Sequence, residues 1–330
     1  FLMIRRPPRS SQSRSSAASD VYKRQVLYNP SYVISIMLNV PETLSATEQS
    51  IFKTRSENPS ILISESPKEM ISNGRIDLLY IACPPEFHKE YALMAIEQKI
   101  SVYLEKPLGV DINESKELVH ELNKSKTPNI VNFVQASCEA LEITQNELRS
   151  GSAGEVTSVD IVMQYQQWPR SWQLEADWLR FRSAGGYTRE VLSHFIFVTE
   201  RLFGPATINF SNPLYPQQKE LCETHIQAQL FCGLIPINIF GSSGGVGPDR
   251  QEITIWGTKK SYRISDFYFL ETAVEPVWHR ALVSDDDPRT TTLQRQLDNV
   301  DKWLTGYDHT LASAADALSV QIIIENMLSN

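Results

Sequence analysis

Three short segments hold residue types that could carry out acid–base chemistry. They are Cys83-Pro84-Pro85-Glu86-Phe87-His88, Glu105-Lys106-Pro107-Leu108 and the pair Glu190 and His194. A lysine at the end of a buried strand can donate a proton to a hydroxyl or polarise it. A carboxylate four residues before an imidazole shares its helix face and forms a proton-transfer pair. These segments favour chemistry at a small-molecule hydroxyl.

Each segment also has a simpler structural interpretation. Residues 83–88 could be a rigid strand stop with His88 on the next helical turn. Glu105 and Lys106 could form a surface ion pair, and Glu190 with His194 could be an ion pair on a solvated helix. The first two segments follow adjacent predicted strands, at the edge where open α/β sheets bind ligands, which favours the functional interpretation. Gly185 and Gly186 could let the backbone approach a ligand closely.

Two other segments carry little chemistry. Residues 241–247 are glycine-rich but do not match GxGxxG, so we predict a flexible hairpin loop. Asp285-Asp286-Asp287 lacks calcium-loop spacing and is predicted to be a solvated turn.

The elements that must position these residues alternate between strand and helix in the first half of the chain. Strands are predicted at residues 32–38, 61–63, 78–82, 102–104 and 130–134, and helices at 46–54, 67–72, 87–98 and after Asp111 or Asn113. This order predicts a parallel sheet with right-handed crossovers.

Longer alternating segments follow Gly154 and predict a mostly antiparallel sheet. They are residues 156–166, 224–231, 235–240, 252–256 and 261–269, followed by a C-terminal helix at 311–328. The fold class is therefore α/β for the first domain and α+β, with a large open sheet, for the second.

Composition limits the classes of function. The chain has 330 residues, 42% of them hydrophobic, which suggests two domains. A net charge of −8 argues against a broad nucleic-acid-binding face, and no apolar run approaches the roughly 20 residues that span a bilayer. The four cysteines lack CxxC spacing, so we expect reduced, buried thiols in a cytoplasmic protein and no metal site.

The first 25 residues, rich in Arg and Ser, resemble translated sequencing-adapter sequence more than a transit peptide. We expect a non-native, disordered leader at residues 1–25, a dinucleotide-binding domain at 26–135 that lacks its first βα unit, and a substrate and oligomerisation domain at 136–330. The C-terminal helix could pack back on the first domain.

Residues 77–109 resemble the Gfo/Idh/MocA oxidoreductases, named for glucose-fructose oxidoreductase and inositol dehydrogenase. The family pattern is an apolar strand, a proline turn ending in histidine, a helix and then Glu-Lys-Pro. Looser similarity continues through residues 154–156, 177–180, 190–194 and 315–318, so that it covers about 32–329.

The resemblance implies a Rossmann domain that binds NAD or NADP, with the substrate between it and the second domain. Lys106 would contact the substrate oxygen, His194 would be its acid/base, and Glu190 would orient substrate or His194. Further residues would bind cofactor (Cys83, Pro84, Pro85, His88, Glu105 and Asn39) or substrate (Trp178 and Arg180). Lys106-Pro107 is a candidate cis peptide, and a homodimer or homotetramer is expected by analogy.

Several positions depart from the family pattern. The GxGxxG that should precede Tyr32 is absent, and Asn39 replaces the acidic residue expected after the second strand. Glu190 stands where aspartate is usual, and residues 134–139, VQASCE, are atypical.

The sequence therefore predicts an NAD(P)-dependent oxidoreductase acting on a sugar, polyol or related small hydroxyl or carbonyl substrate, with neither nucleic acid nor membrane as partner. The alternatives are a non-catalytic dinucleotide-binding sensor of the same fold, or an inactive truncated fragment.

Overall fold

The computed structural model of the protein describes residues 35–37, 62–64, 71, 76–173, 176–282 and 287–329. The chain divides into two compact units. The first holds the described residues up to Asn132 with Val300–Thr305 and Leu311–Leu318; the second comprises Phe133–Asn299, Gly306–Thr310 and Ser319–Asn330. Leader residues 1–25 and the predicted helix at 46–54 lie outside the described residues, as does the predicted helix at 67–72 apart from Ile71.

The first unit contains parallel strands. One sheet pairs β1 (Ser35–Met37) with β2 (Leu62–Ser64). A second sheet holds three strands in the order β3 (Leu78–Ile81), β4 (Ser101–Leu104) and β5 (Asn129–Val131). Helix α1 (His88–Glu97) connects β3 to β4, and α2 (Ile112–Ser125) connects β4 to β5. The predicted alternation of strand and helix is confirmed for these elements.

Asp111 begins α2 in the way the sequence indicates. Its carboxylate accepts hydrogen bonds from the backbone N–H groups of Asn113 and Glu114, at 2.8 and 3.1 Å. Leu118 and Leu122 are fully buried on one helix face. The cap fixes where the helix starts, and the apolar stripe fixes which face packs inward.

The second unit is built on an eight-stranded sheet in the order β13-β12-β11-β10-β6-β9-β8-β7. Its strands are β6 (Val156–Tyr165), β7 (Ala206–Leu214), β8 (His225–Cys232), β9 (Ile235–Ser243), β10 (Arg250–Gly257), β11 (Ser261–Ser265), β12 (Phe269–Ala273) and β13 (His279–Arg280). All neighbours pair antiparallel except β6 and β9, which are parallel. The remaining helices are α3 (Glu139–Arg149), α4 (Ser193–Phe203), α5 (Pro288–Leu304) and α6 (Ala314–Leu328).

Three predicted boundaries are wrong. The single strand predicted at 261–269 is a hairpin, because Asp266 and Phe267 adopt φ of 48° and 69° and reverse the chain. The strand predicted at 130–134 ends at Val131, and Val134–Ser137 is a 3-10 turn. The glycine-rich residues 241–247 do not close a hairpin, since the strands they connect, β9 and β10, lie on either side of β6.

One face of the large sheet is open to solvent and carries a row of hydrogen bonds across five strands. Asn209 donates to Gln229, Gln229 to Asn238, and Asn238 to Asp160, each at 2.9 Å. Trp256 Nε1 donates to the other oxygen of Asp160 at 2.6 Å. The opposite face is apolar and buried, so the sheet shows the alternation of a one-sided antiparallel sheet.

A mostly buried ion pair fixes the segment that leads into α4. Arg189 donates through Nε and Nη2 to the two carboxylate oxygens of Glu325 on α6, at 2.6 and 2.7 Å. Its Nη1 donates to the carbonyls of Arg182 and Gly185, both at 2.8 Å. This fork geometry uses the guanidinium on both sides and holds residues 182–189 in one conformation.

The four cysteines are free thiols, and Cys138, Cys222 and Cys232 are buried. This confirms the expectation of reduced thiols, although Cys83 is only half-buried. Among the described residues, no helix is both long and apolar enough to span a bilayer.

Candidate functional site

The carboxyl ends of β3, β4 and β5 share one edge of the parallel sheet, and the predicted cofactor residues of the first unit follow them. Cys83, Pro84 and Pro85 come after β3, and Glu105 and Lys106 come after β4. This is the edge at which open α/β sheets bind ligands.

Glu105 is held by a hydrogen-bond network that the sequence did not reveal. Its Oε1 accepts from the Tyr80 hydroxyl and from Asn132 Nδ2, the latter at 2.8 Å. Asn132 Oδ1 in turn accepts from the Tyr103 hydroxyl at 2.9 Å. Burial, together with the negative charge of Glu105, raises the pKa of Tyr80 well above its usual value, so this hydroxyl remains a donor at neutral pH. The network fixes one oxygen of Glu105.

His88 closes the turn that follows β3. The imidazole is 0% exposed, and its Nε2 lies 3.0 Å from the carbonyl oxygen of Cys83, to which it donates. Burial lowers the pKa of His88 to about 4, against a smaller opposite effect of the backbone at Cys83, Leu108 and Pro107. The ring is therefore neutral and fastens the start of the helix to the Cys83 carbonyl, while its buried Nδ1 has no hydrogen-bond partner among the described residues. Its predicted contact with the cofactor stays a prediction.

The other predicted residues of this edge are accessible. Pro84 is exposed, and Cys83, Pro85 and Lys106 are half-buried. The Lys106-Pro107 peptide is cis, which confirms that prediction. Burial raises the pKa of the Cys83 thiol to about 11, so Cys83 is a neutral thiol at pH 7 rather than a nucleophile. Asn39 lies outside the described residues.

In the second unit, Glu190 and His194 lie where a π-helical turn, Thr188–Leu192, runs into α4. The sequence predicted a regular helix with both residues on one face. π-Helical turns are rare and recur at functional sites. Both side chains are half-buried, as a group that exchanges protons with a ligand must be.

Two phenyl rings fix the His194 imidazole. Phe133 and Phe267 both lie edge-to-face with it, at centroid distances of 5.8 and 5.4 Å. Phe267 holds this position in the left-handed conformation, at φ 69°. Such a backbone is costly for a bulky residue and is found at sites that constrain a side chain. This contact could not be predicted from the sequence.

Gly185 and Gly186 are required by close packing within the protein rather than by a ligand. A Cβ at Gly185 would lie 2.3 Å from the carbonyl oxygen of Leu179. A Cβ at Gly186, where φ is +99°, would lie 2.4 Å from Glu223 Oε2. The interpretation that these glycines admit a ligand is therefore replaced by one in which they admit a backbone segment and a buried carboxylate.

Glu223, which sequence reasoning missed, anchors the start of the π-helical turn. Its Oε1 accepts from the Thr188 backbone N–H at 2.8 Å, and the side chain is buried. Burial raises the pKa of Glu223, with smaller opposing effects from Thr188. The buried carboxylate therefore has a charge state that depends on pH.

We expect Glu223→Gln to remove part of the pH dependence of stability. Because the folded pKa is raised, the protonated acid stabilises the fold below the unfolded pKa of roughly 4.3, and that stability is lost as pH rises through the folded pKa. The free energy of unfolding of the wild type should therefore fall, relative to that of Glu223→Gln, as pH rises above about 4.3. Urea unfolding of both proteins across this range measures the difference, with exposed Glu220→Gln as control. A wild-type-to-variant difference that is constant with pH contradicts the assignment.

Trp178 and Arg180, the predicted substrate residues, lie on the 3-10 turn Asp177–Arg180. Trp178 is 42% exposed, and Arg180 Nε pairs with Asp177 at 3.0 Å in an exposed position. An exposed pair of this kind contributes little to stability. The predicted substrate contacts stay predictions.

The atypical residues 134–139 are covered by α5. Ser137 Oγ donates to Gln296 Oε1 at 2.6 Å and accepts from Asn299 at 3.2 Å, while Arg295 Nε donates to the Ser137 carbonyl at 3.1 Å. Ser137 is thus saturated by helix contacts, which accounts for its polar side chain in a buried position.

Comparison with known proteins identifies the first domain. Residues 39–133 match the profile of the GFO_IDH_MocA family, described as an oxidoreductase family with an NAD-binding Rossmann fold. Over this segment the chain is similar to the Gfo/Idh/MocA oxidoreductases. The family match includes Lys106 and the three parallel strands, β3 to β5, that position it.

A curated relative shares sequence with part of the chain. The chain is 30% identical over 138 residues to Oxidoreductase P35 of Formosa agariphila. The aligned segment covers 41% of this chain and 43% of the relative. It spans less than two thirds of the length of the curated relatives it matches.

Two solved structures share the fold over most of both chains. An oxidoreductase from Agrobacterium radiobacter, in complex with NAD+, L-tartaric acid and magnesium, matches with a TM-score of 0.73 and 16% identity over 90% of this chain and 88% of that one. The WlbA dehydrogenase from Bordetella pertussis, in complex with NADH and UDP-GlcNAcA, matches with a TM-score of 0.74 and 16% identity over 95% and 93%. At these identities the likeness concerns the fold alone.

Proposed function

We propose that the protein is an NAD- or NADP-dependent oxidoreductase that acts on the CH–OH or carbonyl group of a sugar, polyol or related small substrate. The observation that carries this proposal is the NAD-binding family match over residues 39–133, with Lys106 at the carboxyl end of a parallel strand inside it. Ligands of open α/β sheets bind at that edge.

The residues at this edge suit a nicotinamide nucleotide. Glu105 accepts its hydrogen bonds from Tyr80 and Asn132 through Oε1, so Oε2 can accept from a ribose hydroxyl. Pro84 and Pro85 offer a rigid apolar wall, and Cys83 a neutral thiol. When bound, the nicotinamide takes up or returns a hydride.

The protein's own residues would handle the proton and the charge. His194, held between Phe133 and Phe267, would remove the hydroxyl proton of the substrate. Lys106 would stabilise the negative charge that develops on the substrate oxygen. Glu190 would orient the substrate or His194.

Cofactor reduction by the purified full chain tests the proposal. The protein is mixed with NAD+ or NADP+ and a panel of sugars, polyols and their acids, and NADH or NADPH formation is followed by absorbance. Binding of NADH is measured separately by its fluorescence. Binding of NADH without turnover of any compound would favour a dinucleotide sensor. If the chain shows no binding and no turnover, the proposal is refuted for this chain.

We also propose that the protein is a cytoplasmic homodimer or homotetramer, with neither nucleic acid nor membrane as partner. Four large apolar side chains are exposed on the open face of the sheet: Phe210, Leu214, Phe240 and Trp256. A patch of this kind favours contact with a second copy of the chain. Light scattering that finds a monomer at micromolar concentration would contradict this.

A further inference from the structure

An arginine surrounded by aromatic rings lies in the loop after β6. The guanidinium carbon of Arg170 lies 4.5 Å from the ring centroid of Trp172, 5.3 Å from that of Tyr165 and 5.5 Å from that of Trp168. Three ring faces attract one cation and hold the guanidinium in place.

One side of this guanidinium is already fixed. Its Nε donates to the buried Gln173 Oε1 at 3.0 Å. Across residues 76–173, 176–282 and 287–329, no carboxylate lies within ion-pair distance of Arg170, and its two terminal nitrogens donate to no acceptor in these ranges. The two terminal N–H groups thus form a preorganised fork that a ligand can meet.

The same loop adjoins the predicted substrate residues. Trp168 Nε1 donates to the carbonyl of Leu179 at 3.0 Å, which attaches the loop to the turn that carries Trp178. Burial raises the pKa of Tyr165, Arg170 lowers it, and the carboxylates of Asp249, Glu190 and Asp266 raise it by smaller amounts. The charges of Arg170 and of the proposed orienting carboxylate, Glu190, thus both act on the Tyr165 hydroxyl.

Two nearby arginines already donate to oxygen acceptors: Arg180 pairs with Asp177, and Arg189 donates to Glu325 and two carbonyls. The Arg170 fork suits a group with one negative charge and two parallel oxygens, which is a carboxylate.

We propose that Arg170 binds a carboxylate of the substrate through its terminal nitrogens, so that the substrate is a hydroxy acid of the sugar-acid class rather than a neutral sugar or polyol. This inference rests on the proposed function, because it places the substrate beside Glu190 and His194. It adds a specificity residue that the sequence motifs did not include.

Matched acid and neutral ligands test the proposal. D-glucuronate with D-glucose and D-galacturonate with D-galactose are titrated calorimetrically into the full chain saturated with NAD+, and oxidation is assayed in parallel. We expect at least one acid to bind. Arg170→Gln should lower the affinity for that acid by about 10- to 100-fold, as loss of a charged hydrogen bond does. Binding of the neutral partner should be unchanged.

Two further variants separate recognition from folding. Arg170→Lys keeps a positive charge beside the aromatic rings but loses the fork, so it should lower the affinity for the acid by roughly 10-fold. This variant keeps the test informative if Arg170→Gln does not fold. Arg149→Gln, which removes an exposed positive charge elsewhere in the same unit, should leave acid affinity unchanged. The proposal is overturned if no acid binds, or if the Arg170 variants weaken the acid and the neutral sugar equally or not at all.

The outcomes also distinguish this inference from the proposed function. Acid binding that depends on Arg170, without turnover of any compound, would refute the oxidoreductase proposal and keep the carboxylate site. Turnover of neutral sugars at rates that Arg170→Gln does not change would keep the oxidoreductase and overturn the carboxylate site.

Discussion

Replacing His194 or Lys106 with alanine should lower kcat for the oxidised substrate by about 100- to 10,000-fold, the range that general acid–base catalysis contributes. His194 would lose the group that takes the hydroxyl proton, and Lys106 the charge that stabilises the oxygen. KM should change less than kcat, because both interactions strengthen only as charge develops in the transition state.

The fold should survive both substitutions. His194 is half-buried and would lose two edge-to-face ring contacts, each worth about 0.5–1.5 kcal/mol, and Lys106 is half-buried at a loop. Exposed His279→Ala and Lys116→Ala serve as matched controls with wild-type kinetics. Steady-state kinetics and thermal unfolding of all four variants decide the matter: wild-type kcat/KM in His194→Ala or Lys106→Ala would remove that residue from the proposed mechanism.

Local signals in the sequence were sufficient for the first site. An apolar run predicted β3, two prolines predicted its end, and the next apolar stripe predicted α1; all three lie in the structure as expected. The same reasoning placed Glu105 and Lys106 after β4. These features depend on the preferences of consecutive residues, which a sequence displays directly.

Contacts between distant residues were beyond such reasoning. Glu105 is held by Tyr80 and Asn132, which are 25 and 27 positions away, and Thr188 is held by Glu223 at a separation of 35. No periodicity connects residues at these distances, because the pairing is created by the way strands and turns pack.

The hairpin at Asp266 and Phe267 was not predicted, for a different reason. Two consecutive residues in the left-handed conformation usually include glycine or asparagine. Here a phenylalanine adopts that conformation and packs against His194. A local rule is therefore broken at the residue that contacts the candidate acid/base, which is where strained backbone tends to occur.

Gly186→Ala should be among the most destabilising single substitutions in the second unit. Its φ of +99° costs an alanine about 1–2 kcal/mol, and the new methyl would lie 2.4 Å from a buried oxygen of Glu223. Moving that carboxylate would weaken its bond to the Thr188 N–H, which adds about 1–3 kcal/mol when a buried donor is left unsatisfied. We expect a loss of about 2–5 kcal/mol in the free energy of unfolding.

Gly151→Ala separates the backbone effect from the collision. Gly151 has φ +77°, but a Cβ there would meet nothing within 4 Å, so only the backbone cost of about 1–2 kcal/mol should appear. Adding Glu223→Ala to Gly186→Ala should reduce the cost of the glycine substitution to a similar value, because the collision partner is gone. Urea unfolding of the single and double variants measures both differences. If Gly186→Ala costs no more than Gly151→Ala, or costs the same with and without Glu223, then the carboxylate is not packed against this glycine, and its role in anchoring the π-helical turn before His194 must be abandoned.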